Sequence, residues 1–143
     1  MVGLQGVGLS APLRWGAFAP QGWKLEYSGW DAATAWARTV ELSQVAERLG
    51  YDHLWVYDHL ETVPRREPTH VFEAFTTLAA LSQRTDRIRL GQLVTCSSYR
   101  NVGLLAKEAA GVDVASGGRL MRTATRSRCN ASPRSGSAAA VSA

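Results

Sequence analysis

The sequence predicts an α/β fold that forms part of a (β/α)8 TIM barrel, with about three β-α units on a parallel sheet. Three observations predict it. Apolar runs with strand character alternate with helical patterns, the connections between them suit parallel crossovers, and polar residues follow the end of each strand. A doubly wound sheet is the competing fold, but residues 19–22 do not form its Gly-rich phosphate loop.

The first β-α unit is a short strand followed by a long helix. Residues 14–19 form the apolar strand, which Pro20-Gln21-Gly22 stops. Asp31 can cap a helix that runs to about residue 49, and Gly50 fits the left-handed residue that ends such a helix. The stripe expected to face the sheet has i, i+3, i+4, i+7 spacing and consists of Leu42, Val45, Ala46 and Leu49.

The second unit contains a long loop between its strand and its helix. The strand covers residues 53–57 and the helix residues 72–83. Loops as long as residues 58–70 are often functional in compact domains. A solvated insertion is the alternative.

The third unit has a glycine inside its strand. The strand covers residues 88–94, and Gly91 indicates a bulge or the close approach of another group. A polar segment, residues 95–101, leads into a third helix from Val102 to about Val114. Residues 116–118 end this helix, and the first step of a fourth strand follows at Leu120.

The composition changes sharply after Leu120, and this divides the chain. Residues 1–12 are expected to be a flexible leader and residues 13–120 the folded part of the barrel. Residues 121–143 are rich in Ser, Ala and Arg without an apolar period. Such a segment cannot offset its ordering entropy by burial, so we expect a disordered basic tail.

The net charge of +4 arises from that tail. Residues 1–120 hold equal numbers of acidic and basic residues, which is not typical of a nucleic-acid-binding domain. No apolar run is long enough to span a membrane, and the first 12 residues do not resemble a secretory signal. We therefore expect a cytoplasmic protein that binds neither nucleic acid nor membranes.

Asp58 and His59 directly follow the second strand. An acid and an imidazole at the end of a buried strand lie where α/β enzymes place their chemistry, although a simple polar turn is the alternative. Metal-dependent hydrolysis would need ligands from Asp52-His53, from the Asp58-His59 pair and from His70. Because no HxH or HExxH spacing is present, we expect no metal site.

Five segments resemble the luciferase-like monooxygenase family, in its order and spacing. They are most similar to the branch that uses the deazaflavin coenzyme F-420. The segments are Trp55-Val56-Tyr57-Asp58-His59, Phe72-Glu73-Ala74-Phe75-Thr76-Thr77-Leu78-Ala79-Ala80-Leu81, Arg87-Ile88-Arg89-Leu90-Gly91, Ser98-Tyr99-Arg100-Asn101 and Ser116-Gly117-Gly118-Arg119-Leu120.

The resemblance implies an oxidoreductase that binds coenzyme F-420 or FMN at the barrel mouth, with hydride transfer to or from a small-molecule substrate. His59 would act there as an acid/base or charge stabiliser. Asp58 would orient or charge the imidazole, or contact cofactor and substrate directly. A non-proline cis peptide is expected near Leu93-Val94. The implied cofactor-binding residues are Leu93, Val94, Thr95, Ser97 and Ser98.

Several of these polar and aromatic residues have a purely structural alternative. Thr95, Ser97 and Ser98 could serve as ordinary loop caps, and residues 99–101 could merely fix the start of the third helix. Trp23 or Trp30 could cover a flat ring, or simply anchor the first loop.

The resemblance ends at Leu120, whereas a full barrel takes about 250 residues. We therefore expect a truncated or frameshifted member that lacks most of the site for the coenzyme's anionic tail and is not independently active. The alternative is a non-catalytic remnant or a self-associating interaction module. Unpaired sheet edges predict self-association in either case.

Overall fold

A computed structural model describes residues 12–121 of the chain. The predicted leader apart from Pro12, and the predicted tail apart from Met121, lie outside the described residues.

Four parallel strands in chain order form one sheet, and a helix follows each of the first three. The strands are β1 (Gly16–Phe18), β2 (His53–Val56), β3 (Arg89–Gln92) and β4 (Leu120–Met121). The helices are α1 (Ala32–Arg48), α2 (Ala74–Ser82) and α3 (Val102–Ala115), and a short 3₁₀ turn covers Ser97–Tyr99. The predicted α/β fold with three β-α units is confirmed, and β4 extends one residue beyond the boundary expected at Leu120.

The two faces of the sheet are covered differently. Leu54 and Val56 of β2 are buried, together with Leu90, which pairs with Leu54 across β2 and β3. Alternation along the strand places Trp55 on the opposite face, where it is only half-buried. The core between sheet and helices consists of Ala19, Ala46, Leu54, Val56, Ala74, Phe75, Leu78, Leu81, Ile88, Leu90 and Val112.

Helix α1 faces the core with a different stripe from the one predicted. Its buried residues are Ala35, Thr39, Ser43 and Ala46. Of the predicted stripe only Ala46 is buried, and Leu49 is 72% exposed. The hydroxyls explain the difference, because Thr39 donates to the carbonyl of Pro20 at 3.0 Å and Ser43 to that of Thr39 at 2.7 Å. Small hydrogen-bonded side chains let the helix lie close to its neighbours.

Capping residues determine where the helices begin and end. Asp31 caps α1 and accepts the backbone N–H of Thr34, as predicted, and Gly50 follows the helix with a φ of +88°. Helix α2 begins two residues later than expected because the side chain of Glu73 caps it. The side chain of Asn101 caps α3, which confirms that this residue fixes the start of the third helix.

Glu47, near the end of α1, holds the turn that leads into β3. Its carboxylate accepts the backbone N–H groups of Asp86, Arg87 (2.6 Å) and Ile88 (2.7 Å). Burial is the largest influence on the pKa of Glu47 and raises it, but these donors and the charge of Arg87 outweigh burial and lower the pKa. Nothing in the local pattern predicts this contact, which joins residues about 40 positions apart.

Trp55 occupies the space above the glycines of its two neighbouring strands. A Cβ atom at Gly91 would lie 2.5 Å from the indole, and one at Gly16 would lie 2.7 Å from it. The close approach predicted from the mid-strand glycine is therefore confirmed, and the approaching group is the ring of Trp55.

We expect Gly91→Ala to destabilise the fold by about 1–3 kcal/mol, because the added methyl group overlaps the indole of Trp55. Gly111→Ala on α3 is the matched control, since no atom lies within 4 Å of the added Cβ. That helical substitution should stabilise the protein by up to about 1 kcal/mol. Urea unfolding followed by circular dichroism measures both, and equal effects would contradict the close contact.

Candidate functional site

The ends of β1, β2 and β3 lie side by side at one edge of the sheet. The backbone N–H of Ala19 donates to the carbonyl of Trp55 at 2.9 Å, and that of Leu93 to the carbonyl of Val56 at 2.8 Å. These bonds continue the parallel pairing past the strands. The three polar segments that follow the strands are therefore neighbours, as the barrel prediction requires.

Gln21 joins the first of these segments to the second. Its side chain is fully buried, and its amide donates to the carbonyls of Tyr57 (3.1 Å) and Phe72 (3.0 Å). Its amide oxygen accepts the backbone N–H of Tyr57 at 2.6 Å. Three hydrogen bonds from one buried amide fix the chain just before Asp58. Sequence reasoning missed this residue, because a lone glutamine in a loop belongs to no motif.

Four rings form an aromatic cluster at this edge: Phe18, Trp23, Tyr57 and His59. Phe18 stacks on Tyr57 with centroids 4.5 Å apart, and Trp23 stacks on His59 at 4.2 Å with an interplanar angle of 13°. Trp23 also contacts Tyr57 at 4.6 Å. Trp23 thus covers one face of the His59 imidazole. Trp30 lies outside the cluster and packs against Tyr27.

His59 is half-buried, and its surroundings favour the neutral imidazole. Burial is the main cause that lowers its pKa, the charge of Lys24 lowers it further, and the charge of Asp58 opposes both. The unfolded imidazole titrates near pH 6.5 and the folded one below that value. The free energy of unfolding therefore decreases as the pH falls through this window, because the unfolded state binds the proton first.

Asp58 directs its carboxylate away from any hydrogen bond to His59. Its side chain is 2% exposed. Oδ2 accepts the backbone N–H of Cys96 at 2.8 Å, and both carboxylate oxygens accept hydrogen bonds from Arg100, at 2.7 Å for Oδ1. Among residues 12–121, all hydrogen bonds found for this carboxylate go to these two partners.

Arg100 lies at the centre of a partly buried ion cluster, and the sequence analysis did not predict these ion pairs. Its side chain is 9% exposed and contacts Asp58, Glu73 at 2.5 Å and Glu108 at 3.6 Å. Burial, the largest influence on its pKa, would lower it, but the bonds and charges of Asp58 and Glu73 outweigh burial and raise the pKa. The guanidinium also lies over the ring of Phe75 at 5.2 Å. Arg100 therefore does more than start α3.

The loop after β3 contains the non-proline cis peptide at Leu93-Val94, where the resemblance places it. Leu93 is 37% exposed, so an apolar surface next to this peptide is open. The hydroxyl of Thr95 bonds to Oε1 of Gln92 at 2.8 Å. Ser97 and Ser98 are exposed in the 3₁₀ turn that follows.

The predicted site residues thus fall into two groups. His59, Leu93, Val94 and Thr95 follow the adjacent strands β2 and β3 and are accessible at the sheet edge, whereas Asp58 is buried behind them. Accessible aromatic and apolar side chains, an imidazole and exposed backbone fit a flat heteroaromatic ring. Within residues 12–121, no group of three His, Cys, Asp or Glu side chains could hold a metal ion, and no helix of that region could cross a bilayer.

Comparison with known proteins gives one family and several relatives. The family model for luciferase-like monooxygenases matches residues 17–123. The F420-dependent glucose-6-phosphate dehydrogenase of Amycolatopsis mediterranei (strain U-32) is 33% identical over 84 residues, which are 57% of this chain and 25% of the relative. The 5,10-methylenetetrahydromethanopterin reductase of Methanolobus tindarius is 30% identical over 79 residues, 55% of this chain and 22% of the relative.

Solved structures share the fold of the described sheet and helices. The monooxygenase RslO1 from Streptomyces bottropensis superimposes with a TM-score of 0.62 at 23% identity, covering 76% of this chain and 31% of that one. The oxygenating constituent of 3,6-diketocamphane monooxygenase from Pseudomonas putida, solved with FMN, gives 0.61 at 15% identity, covering 76% and 28%. The chain thus spans about a quarter to a third of the length of these proteins.

We expect Trp23→Ala to raise the pKa of His59 toward 6.5, because the indole shields one face of the imidazole. Lys24→Gln should raise this pKa by a smaller amount, since Lys24 is the second cause of the lowering. Lys107→Gln, which removes an exposed charge on α3, is the control and should change nothing. Histidine NMR titration measures the pKa, and an unchanged midpoint in Trp23→Ala would contradict the role of burial.

Proposed function

Because the chain belongs to the luciferase-like monooxygenase family, we propose that its strand ends form the ring-binding part of an oxidoreductase site. In a complete site of this kind a hydride would pass between the coenzyme ring and a small-molecule substrate, and this chain would supply the residues that contact the ring. The observation that carries the proposal is the placement of a half-buried imidazole, His59, and an accessible apolar side chain, Leu93, just past the ends of adjacent parallel strands.

The coenzyme is either the deazaflavin F-420 or FMN. The Amycolatopsis relative is named for its dependence on F-420, and a solved monooxygenase of the same fold contains FMN. When bound, either coenzyme supplies the hydride chemistry, and the protein supplies position and electrostatics. Two relatives by sequence, at 33% and 30% identity, include the enzyme named for F-420, and this favours F-420.

The residues that would hold the ring come from the loop after β3. Leu93 and Val94 offer apolar contact, while Thr95, Ser97 and Ser98 offer hydroxyls for polar edges of the coenzyme. The half-exposed side chain of Leu93 provides the open surface that such contact needs.

His59 is the group that would hold or move a proton. Its lowered pKa keeps the imidazole neutral at pH 7, so one ring nitrogen can accept a proton and the other can donate one. Trp23 excludes water from one face of this ring. Asp58, the other predicted catalytic residue, contributes by fixing the loop around Cys96, since its hydrogen bonds lead there.

The activities of the relatives belong to proteins three to four times longer than the matched segment. We therefore propose that this chain by itself binds the coenzyme ring and does not turn over substrate.

Titration with F-420 and, in parallel, with FMN tests the proposed binding. We expect micromolar affinity for one of them, measured through quenching of tryptophan fluorescence. Leu93→Arg should weaken binding at least tenfold, because a charged chain would cover the open surface beside the cis peptide. Leu49→Arg, an exposed leucine at the end of α1, is the control and should bind as the native protein does.

The absence of binding at millimolar coenzyme would overturn this proposal and favour the non-catalytic alternative. Loss of binding in both arginine variants would mean that the weakening is not specific to the surface beside Leu93, and would also contradict the proposed site.

Self-association is a second proposal, and exposed aromatic side chains beside an edge strand favour it. Strand β1 pairs only with β2 in the described sheet. Trp15 immediately before it is 65% exposed, and Phe18 within it is 45% exposed. Unpaired backbone next to accessible aromatic surface favours pairing with another chain.

We expect sedimentation velocity to show concentration-dependent association at micromolar protein. Trp15→Lys should weaken this association, because a charge on an edge opposes strand pairing. Val114→Lys is the control, since this valine is 82% exposed on α3 and lies away from β1. A monomer throughout the concentration range would contradict the proposal, as would an effect of Val114→Lys alone.

A further inference from the structure

We propose that Arg100 is a positioning residue of this site: its guanidinium holds the carboxylate of Asp58 against the loop after β3 and prevents it from turning toward the imidazole of His59. The relevance of this arrangement to catalysis rests on the function proposed above. The arrangement itself is a property of the folded protein and can be tested without a coenzyme.

The hydrogen bonds of Asp58 fix the direction of its carboxylate. Arg100 approaches this carboxylate with two nitrogens, one to each oxygen, and the N–H of Cys96 occupies Oδ2 as well. The planar fork of arginine matches a carboxylate in this way, and a lysine would not. Because both oxygens are occupied and the side chain is buried, Asp58 cannot turn toward His59 while Arg100 stays in place.

The position of Arg100 is itself fixed from three elements. Asp58 follows β2, Glu73 caps α2, and Glu108 lies on α3. Glu73 cannot move freely, because its oxygens also accept the N–H groups of Phe75 and Thr76 at the start of α2. Within residues 12–121, these three carboxylates therefore meet at the guanidinium of Arg100. Its removal would leave Asp58 buried without a cationic partner.

Two charged groups of the described residues, Lys24 and Asp58, shift the pKa of His59, so this pKa reports changes in either of them. Lys24 comes from the loop after β1 and Asp58 from its own loop, and the rings of Trp23 and Tyr57 complete the contacts. Lys24 and Asp58 act in opposite directions on the imidazole. Any change that frees the carboxylate of Asp58 therefore favours the protonated imidazole.

The test is an NMR titration of the three histidines in native protein and variants, with His59 assigned through His59→Gln. In Arg100→Gln we expect the midpoint of His59 to rise by about 1 pH unit or more. The carboxylate of Asp58 would then lack its cation, and its negative charge would favour the protonated imidazole. Adding Asp58→Asn should cancel this rise. Glu108→Gln is the matched control, because it alters the same cluster without a contact to Asp58, and His59 should then titrate as in the native protein.

An unchanged midpoint of His59 in folded Arg100→Gln would overturn the proposal, as would an equal shift in Glu108→Gln. If Arg100→Gln does not fold, Arg100→Lys takes its place, because it keeps the charge and loses the fork. A smaller rise of the same sign is then expected, and no rise would overturn the proposal. In the native protein, the Nε and Nη protons of Arg100 must also exchange slowly with solvent, and rapid exchange would contradict their burial in the cluster.

The outcome is independent of the coenzyme titrations. A protein that shows these histidine shifts and binds neither F-420 nor FMN would retain the positioning role of Arg100 while the proposed function fails. A protein that binds a coenzyme without the shifts would lose only the positioning role.

Discussion

The buried ion pair between Asp58 and Arg100 is the interaction on which the edge of the sheet depends. Two charges removed from water cost several kcal/mol each unless geometry and further hydrogen bonds compensate. Here the two side chains meet through both carboxylate oxygens, and Cys96 and Glu73 satisfy remaining positions. Because the pair joins residues 42 positions apart, it holds the end of β2, the loop after β3 and the start of α3 in one arrangement.

The two faces of the sheet contribute to the fold in different ways. Leu54, Val56 and Leu90 pack beneath the helices and supply the apolar burial that stabilises the fold. The other face carries Trp55, whose ring fills the space above Gly16 and Gly91. That tight packing fixes β1, β2 and β3 relative to one another, so the loops that follow them meet at a defined edge. Position at that edge is what an oxidoreductase must supply to a coenzyme.

The chain belongs to the luciferase-like monooxygenase family, and His59 and Leu93 lie just past the ends of two neighbouring strands of its sheet. The shared fold extends over about three quarters of this chain and less than a third of RslO1. What the described residues provide is therefore one sector of a barrel mouth: the aromatic cluster with His59, and the loop around Leu93.

The sequence by itself determined the order of strands and helices, the helix caps at Asp31 and Asn101, and the close approach at Gly91. Each of these features depends on residues that are near one another in the chain. Apolar periodicity predicted the wrong face of α1, because the buried stripe contains the polar residues Thr39 and Ser43. Their hydroxyls bond to carbonyls one turn earlier in the helix, and that of Thr39 also bonds to the carbonyl of Pro20 outside it.

Only the tertiary structure decided that Asp58 pairs with Arg100 rather than with His59, and that Trp23 covers the imidazole. Those contacts join segments from different β-α units, and the spacing of residues within one unit carries no information about which side chain of another unit will reach them.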